Sequence, residues 1–395
     1  MTGDSPNGEH GDGEAAVPLS ARAENTPPSG IRRFFELAEE REDVISLGVG
    51  EPDFSVPWAA RQAAIDSLER GRTSYTSNRG LRELRAAIAD HQTRWGHDYD
   101  PADEVLVTTG VSEGVDLAMR ALVDPGDTVA IAEPAYISYG PNTLFSGGDP
   151  LPVPTRPEDG FMLTYDVLDE AGAADADVLI LCYPNNPTGA IMREDDLQEV
   201  AAFAIEHDLA VLSDEVYAAL TYDGGHDSIA TIDGMRERTV VFNGFSKAYA
   251  MTGLRLGYAM GPTDLVDGMN RIHQYTMLSA PTTPQHAALE ALRSCESDVE
   301  DMVGEYNRRR RFVLSRLDEM GLDCYPAQGA FYVFPEVPGD DEDFAEGLLN
   351  EEGVAVVPGN VFGDGGVGHV RMSYARSMSE LRQAMDRMES YVRSL

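Results

Sequence analysis

Lys247 is the only lysine in a chain of 395 residues that carries 30 Lys and Arg together, so every other residue of that pair is an arginine. A guanidinium, with a pKa above ~12, cannot form a Schiff base with an aldehyde, whereas an amine can. Lysines on a solvated face exchange readily for arginine, so a lone survivor reads as a catalytic amine. It lies in Gly244-Phe245-Ser246-Lys247-Ala248-Tyr249-Ala250-Met251-Thr252-Gly253-Leu254-Arg255-Leu256-Gly257, which lacks the GxxxxGK[ST] frame of a phosphate loop. Three other segments have types and spacings suited to a site. Ser213-Asp214-Glu215-Val216-Tyr217 ends an apolar strand, where α/β folds place ligand-binding groups, although an isolated aspartate there is by default a helix cap. Pro184-Asn185-Asn186-Pro187-Thr188-Gly189 is a turn directly after a buried strand. Thr109-Gly110-Val111-Ser112-Glu113-Gly114 joins a strand to a helix start, where free N–H groups and the helix dipole favour a phosphate.

The elements that must hold these segments follow from periodicity. Short apolar runs alternate with helical stretches from about Ile31, the pattern of a mostly parallel sheet covered by helices. Strands are expected at Glu104–Thr109, Thr128–Ala132, Val178–Tyr183, Leu209–Ser213, Thr239–Asn243 and Leu256–Met260. Helices are expected at Ser112–Val123, opened by a capping serine, and at Glu194–His207 with its apolar stripe. From Thr283 a long helix containing Arg308–Arg311 leads into short strands near Phe331–Phe334, Val354–Val357 and Val370–Ser373, then a last helix. The expected division is an acidic disordered tail over 1–28, an arm over 29–48 joining the small domain, a large domain over 49–282 and a small α+β domain over 283–395. The four consecutive arginines, with Glu305, Asp318 and Glu319 nearby, read as a solvated ion-paired face, and so does the acidic run Asp340–Asp343.

Composition narrows the partners. A formal net charge of -38 argues against nucleic acid and anionic membrane surfaces, leaving small molecules. An acidic surface nearly free of lysine suggests a halophilic origin, since salt screens the repulsion among carboxylates. Cys182, Cys295 and Cys324 are odd in number and without CxxC spacing, so neither a disulfide framework nor a zinc ribbon is expected. The N-terminal segment lacks the apolar core of a signal peptide, and no run approaches a membrane helix, so the expected location is cytoplasmic.

With its motifs in family order from about Pro28 onward, the chain resembles the class I/II aminotransferases of fold type I: a large domain with a mostly parallel sheet flanked by helices, plus a smaller α+β domain. The fourteen-residue lysine segment fits the family signature at each constrained position. The resemblance implies that Lys247 holds pyridoxal 5'-phosphate as a Schiff base and that Arg255 pairs with its phosphate. Asp214 then contacts the pyridine nitrogen, Tyr217 and Asn186 the ring hydroxyl, and Tyr136 stacks on the ring. Gly110, Val111 and Ser112 cradle the phosphate, with Tyr75 reaching the neighbour's phosphate across a homodimer interface. Substrate contacts fall to Arg371 and Asn186 for the α-carboxylate, and to Gly50 and Ile31. The implied reaction moves an amino group from an L-amino acid to a 2-oxo acid in two half-reactions.

The chain departs from the family at Gly244, where many members place a phosphate-donor serine; Ser246 is the candidate replacement. An arginine selecting dicarboxylate side chains is not identifiable near Tyr275–Ala280. The same scaffold also carries β-eliminating lyases and decarboxylases, because the cofactor cleaves whichever Cα bond stands perpendicular to its ring. A cofactor-sensing regulator would need a DNA-binding domain, for which no basic helix-turn-helix is seen.

Overall fold

The computed structural model describes residues 19–31 and 43–395. Among them, β1 (Ile45–Ser46) is followed by β2 (Val105–Thr108), β3 (Thr128–Glu133), β4 (Asp149–Pro154), β5 (Val178–Cys182), β6 (Ala210–Asp214), β7 (Thr239–Gly244) and β8 (Gly257–Met260). The last seven form one sheet in the order β2-β8-β7-β6-β5-β3-β4. All run the same way except β8, which is antiparallel to both neighbours. Every residue of β5 and β7 is buried, as expected of strands covered by helices on both faces. Registers Cys182↔Asp214 and Asp214↔Phe242 set the carboxyl ends of three central strands level. Ligand sites gather at that edge of an α/β sheet.

The expected strands of this sheet are present with no end moved by more than one residue. β4 was not expected, because its sequence Asp-Pro-Leu-Pro-Val-Pro reads as anti-strand. Among the described residues its only sheet neighbour is β3. The flanking Asp149 and Thr155 N–H groups donate toward the β3 side. With period two, the prolines therefore remove N–H groups only from the outer edge, which blunts it against further pairing.

The helix after β2 starts at Gly110, two residues before the expected capping serine. The cap residue Thr109 gives no side-chain cap; its own N–H donates to Glu113 Oε2 at 2.5 Å, and Glu113 Oε1 faces His273 Nδ1 at 2.7 Å. Ser112 thus lies inside the first turn. The long helix expected from Thr283 is two helices, Thr282–Ser294 and Glu296–Met320, separated at buried Cys295, whose φ of -113° and ψ of 24° break the run without a Gly or Pro to announce it.

The C-terminal part holds β9 (Tyr332–Val333), β10 (Val354–Ala355), β11 (Val357–Pro358) and β12 (Val370–Ser373). The expected strand Val354–Val357 is divided: β10 pairs with β1, while β11 joins the sheet β11-β12-β9. The final helix, Met378–Ser394, opens on a capping box of Ser377 and Glu380. Of the expected tail and arm, residues 1–18 and 32–42 lie outside the described residues, and residues 21–25 form a short helix capped by Ser20 rather than irregular chain.

The arginine run is not a solvated face throughout. Arg308 is exposed and pairs with Glu305, but Arg309 and Arg310 are buried. Arg309 bridges Glu305 and Asp53, the latter at 2.7 Å. Arg310 donates to Asp223 and to the carbonyls of Pro326 and Ala327. Helical phase accounts for this, since neighbours on a helix point about 100° apart and a run of four cannot share one face. The acidic run is corrected likewise: Asp340 caps its helix, and buried Asp341 accepts the N–H groups of Asn360 and Gly368. Arg310→Ala is expected to lower unfolding free energy by about 1–3 kcal/mol, the cost of leaving buried acceptors unmet, as read from denaturant melts.

Candidate active site

A cavity of about 730 Å³ opens over the carboxyl ends of the central strands. Asp214 is the last residue of β6, Lys247 follows β7 by three residues and Asn186 follows β5 by four. Tyr136 follows β3 by three, and Val111 and Ser112 lie in the first turn of the helix after β2. These six line the cavity together with Ile31, Gly50, Tyr217, Ser246, Arg255 and Arg371. Gly110 stands just behind, with φ of 77°, and a Cβ there would come within 2.9 Å of Arg255 Nη2. The left-handed backbone is what calls for glycine, since the guanidinium is the movable end of a side chain. Tyr75 is not in the cavity and is 80% exposed.

Lys247 Nζ donates to the Gly50 carbonyl at 2.7 Å. Burial, reinforced by Arg371 and Arg255, lowers its pKa to about 8, against the opposing pull of Glu51 and Asp214. An amine so placed is neutral in roughly a tenth of molecules at pH 7, far more than an unperturbed lysine, and the neutral form is the one that attacks a carbonyl carbon. Asp214 is 5% exposed. Burial raises its carboxyl to about 6, opposed by the Tyr139 hydroxyl donating to Oδ2 at 2.7 Å and the Val216 N–H donating to Oδ1 at 3.2 Å. A carboxylate in that setting gains from a cationic ring N–H.

Behind Asp214, Glu215 accepts from Ser213 at 2.9 Å and Ser228 at 2.5 Å, and faces His226 at 2.8 Å. Burial alone would raise its pKa, but His226 and His97 outweigh that and hold it well below the usual carboxylate range.

Arg371 lies between two rings, its Cζ 4.6 Å from the centre of Tyr332 and 4.9 Å from that of Phe362. Nη1 donates to Asn186 Oδ1 at 2.8 Å and Nη2 to the Gly48 carbonyl at 2.7 Å. Its Nε is buried without a partner among the described residues. A buried guanidinium N–H left unmatched in a cavity wall suits an incoming carboxylate. Arg255, held in the left-handed region at φ of 54°, brings a second guanidinium against the helix start at Gly110.

At Gly244 a Cβ would lie 3.0 Å from Gly257 Cα and 3.2 Å from the Leu256 carbonyl, so a serine there would fit only if β7 and β8 moved apart by a few tenths of an ångström. Hydroxyl-bearing residues that line the cavity include Ser112, Ser246 and Thr252.

Sequence reasoning missed Tyr139 and Tyr332. A buried aspartate demands a donor, and Tyr139 opens the helix three residues beyond Tyr136, so that signal was available. Tyr332 had none, because it reaches the cavity only through the pairing Ser373↔Tyr332 two residues beyond Arg371.

The donor set fits pyridoxal 5'-phosphate together with a substrate carboxylate: one amine, a buried carboxylate, an aromatic ring, and two guanidinium groups, one of them beside a helix N-terminus. Residues 42–388 match the family of aminotransferases of class I and II, and the chain belongs to that family. Its members use pyridoxal phosphate. Among its relatives, an aromatic-amino-acid aminotransferase of Thermococcus litoralis and an aspartate aminotransferase of Pyrococcus abyssi are each 43% identical over 382 residues, covering 95% of this chain and 98% of the relative. The aspartate aminotransferase of Thermus thermophilus, solved with maleate, superposes with a TM-score of 0.90 at 37% identity, covering 96% of this chain and all of the other. The protein is thus a transaminase of fold type I.

Proposed function

We propose that transamination is carried out here by Lys247, Asp214 and Tyr217, with Arg371 and Asn186 holding the α-carboxylate of an L-amino acid or a 2-oxo acid. When bound, pyridoxal phosphate supplies a carbonyl carbon and a ring that stores the electron pair released at the substrate Cα. Asp214 holds the ring nitrogen protonated, and Asn186 and Tyr217 bind the ring hydroxyl. Lys247 would provide the cofactor's attachment point and, as a free amine, would carry the proton to and from the substrate Cα. Tyr136 covers the ring, while Arg255, Gly110, Val111, Ser112 and Ser246 take the phosphate. Gly50 and Ile31 close the substrate side.

The observation that carries this reading is the convergence of the chain's one lysine with Asp214 and Arg371 on a single cavity. Borohydride reduction of the loaded protein should fix the coenzyme to the Lys247 peptide alone, and incubation with donor and acceptor should yield one 2-oxo acid per amino acid formed. Free ammonia as the stoichiometric product would overturn it.

Three broader readings go with it. The two-lobe division, 49–282 and 283–395, is the unit of substrate enclosure, with the arm 29–48 joined to the smaller lobe; the pairing of β1 with β10 supports this. A homodimer is supported by the exposed aromatics Tyr75, Trp58 and Tyr275, and sedimentation at a single-chain mass would refute it. No helix among the described residues is long and apolar enough to cross a membrane. The free thiols of Cys182, Cys295 and Cys324 support a reducing, cytoplasmic setting.

The charge of -38 supports a halophilic protein. Unfolding followed across a potassium chloride series should show stability rising into the molar range, and equal stability in dilute buffer would count against that origin.

A further inference from the structure

We propose that Tyr332 is a positioning residue that joins the cofactor side of the cavity to the carboxylate side by acting through Tyr217 and Arg371. The inference rests on the reading above that Tyr217 faces the ring hydroxyl and Arg371 the substrate carboxylate. Tyr332 is 1% exposed on β9, and three separate elements meet on it. Its hydroxyl shares a hydrogen bond with that of Tyr217 at 2.9 Å. Its ring supports the Arg371 guanidinium at 4.6 Å. Its oxygen so crowds Gly50 that a Cβ there would lie 2.6 Å away, and Gly50 is the residue whose carbonyl receives Lys247 Nζ.

Two hydroxyls that share one hydrogen bond have one further proton to give, and both of these side chains line the cavity. Burial raises both phenols, so both stay protonated over the working pH range. The titratable or charged groups that face the pair are Arg371, Lys247, Tyr136 and Cys182. With the Tyr217 O–H donating a hydrogen bond to a ring oxygen, its own oxygen is free to accept from Tyr332. Each bond in such a chain polarises the next, so the Tyr332 hydroxyl makes Tyr217 a stronger donor to an oxyanion.

Tyr332→Phe keeps the ring under Arg371 and deletes only the hydroxyl. In the cofactor-loaded enzyme the pH midpoint of the visible absorbance should move upward by about half to one pH unit, because a less stabilised oxyanion is more basic. Tyr332→Leu also removes the ring, and should weaken binding of an unreactive α-methyl amino acid, read by spectral titration, by about tenfold. A Phe variant that is less stable but keeps the wild-type midpoint would reduce Tyr332 to a packing residue and overturn the proposal. Wild-type protein that takes up no coenzyme would instead defeat the functional reading, a failure visible before any Tyr332 variant is made.

Discussion

Lys247→Ala is expected to lower kcat by about 10⁴-fold or more, because one substitution removes both the covalent anchor and the proton carrier. Lys247→Arg should fail as completely while keeping the charge, which separates bond formation from electrostatics. The chain contains no second lysine to substitute. The pH dependence of cofactor uptake checks the same amine independently of turnover. With its pKa near 8, the neutral fraction grows as pH rises. The rate of coenzyme incorporation into cofactor-free protein should therefore climb through pH 8 and level off above it. A rate still climbing steeply at pH 10 would mean the amine is not perturbed, and measurable normal transamination by the Ala variant would remove Lys247 from the mechanism.

Asp214→Ala should cost about 10²–10³-fold in kcat, the range for deleting one preorganised electrostatic partner of a developing charge. The carboxylate is buried, tied by Tyr139 and the Val216 N–H, and cannot be replaced from solvent. Asp214→Asn fills the same space without the charge, so it should resemble Ala in rate while still binding coenzyme. If the Asn variant turned over at the wild-type rate, the ring nitrogen would need no ionised partner and the assignment of Asp214 would fall.

Much of the cavity was legible because its residues are tied to strand ends. Asp214 ends, and Asn186 and Lys247 follow, a short buried strand that the sequence marks by an apolar run, and a level sheet edge then brings them together. What was not legible depends on contacts between distant segments. Tyr332 reaches the site through a strand pairing that no local signal encodes. Arg310 was expected in solvent, because its partners Asp223, Pro326 and Ala327 come from segments that fold back onto the helix. The break at Cys295 and the division of Val354–Val357 between two sheets are likewise set by packing rather than by propensity. β4 was missed for the opposite reason: a strong local signal, its prolines, is tolerated at a sheet edge.

The reversal of β8 has a consequence for how the protein responds to its ligand. Because the chain climbs β7 and returns down β8, residues 245–256 hang over the cavity as one connection that includes both Lys247 and Arg255. A ligand anchored at both residues would staple that connection at two points, and binding free energy would appear directly as local rigidity. Amide hydrogen exchange across 245–256 should then slow on loading far more than exchange in the β11-β12-β9 sheet.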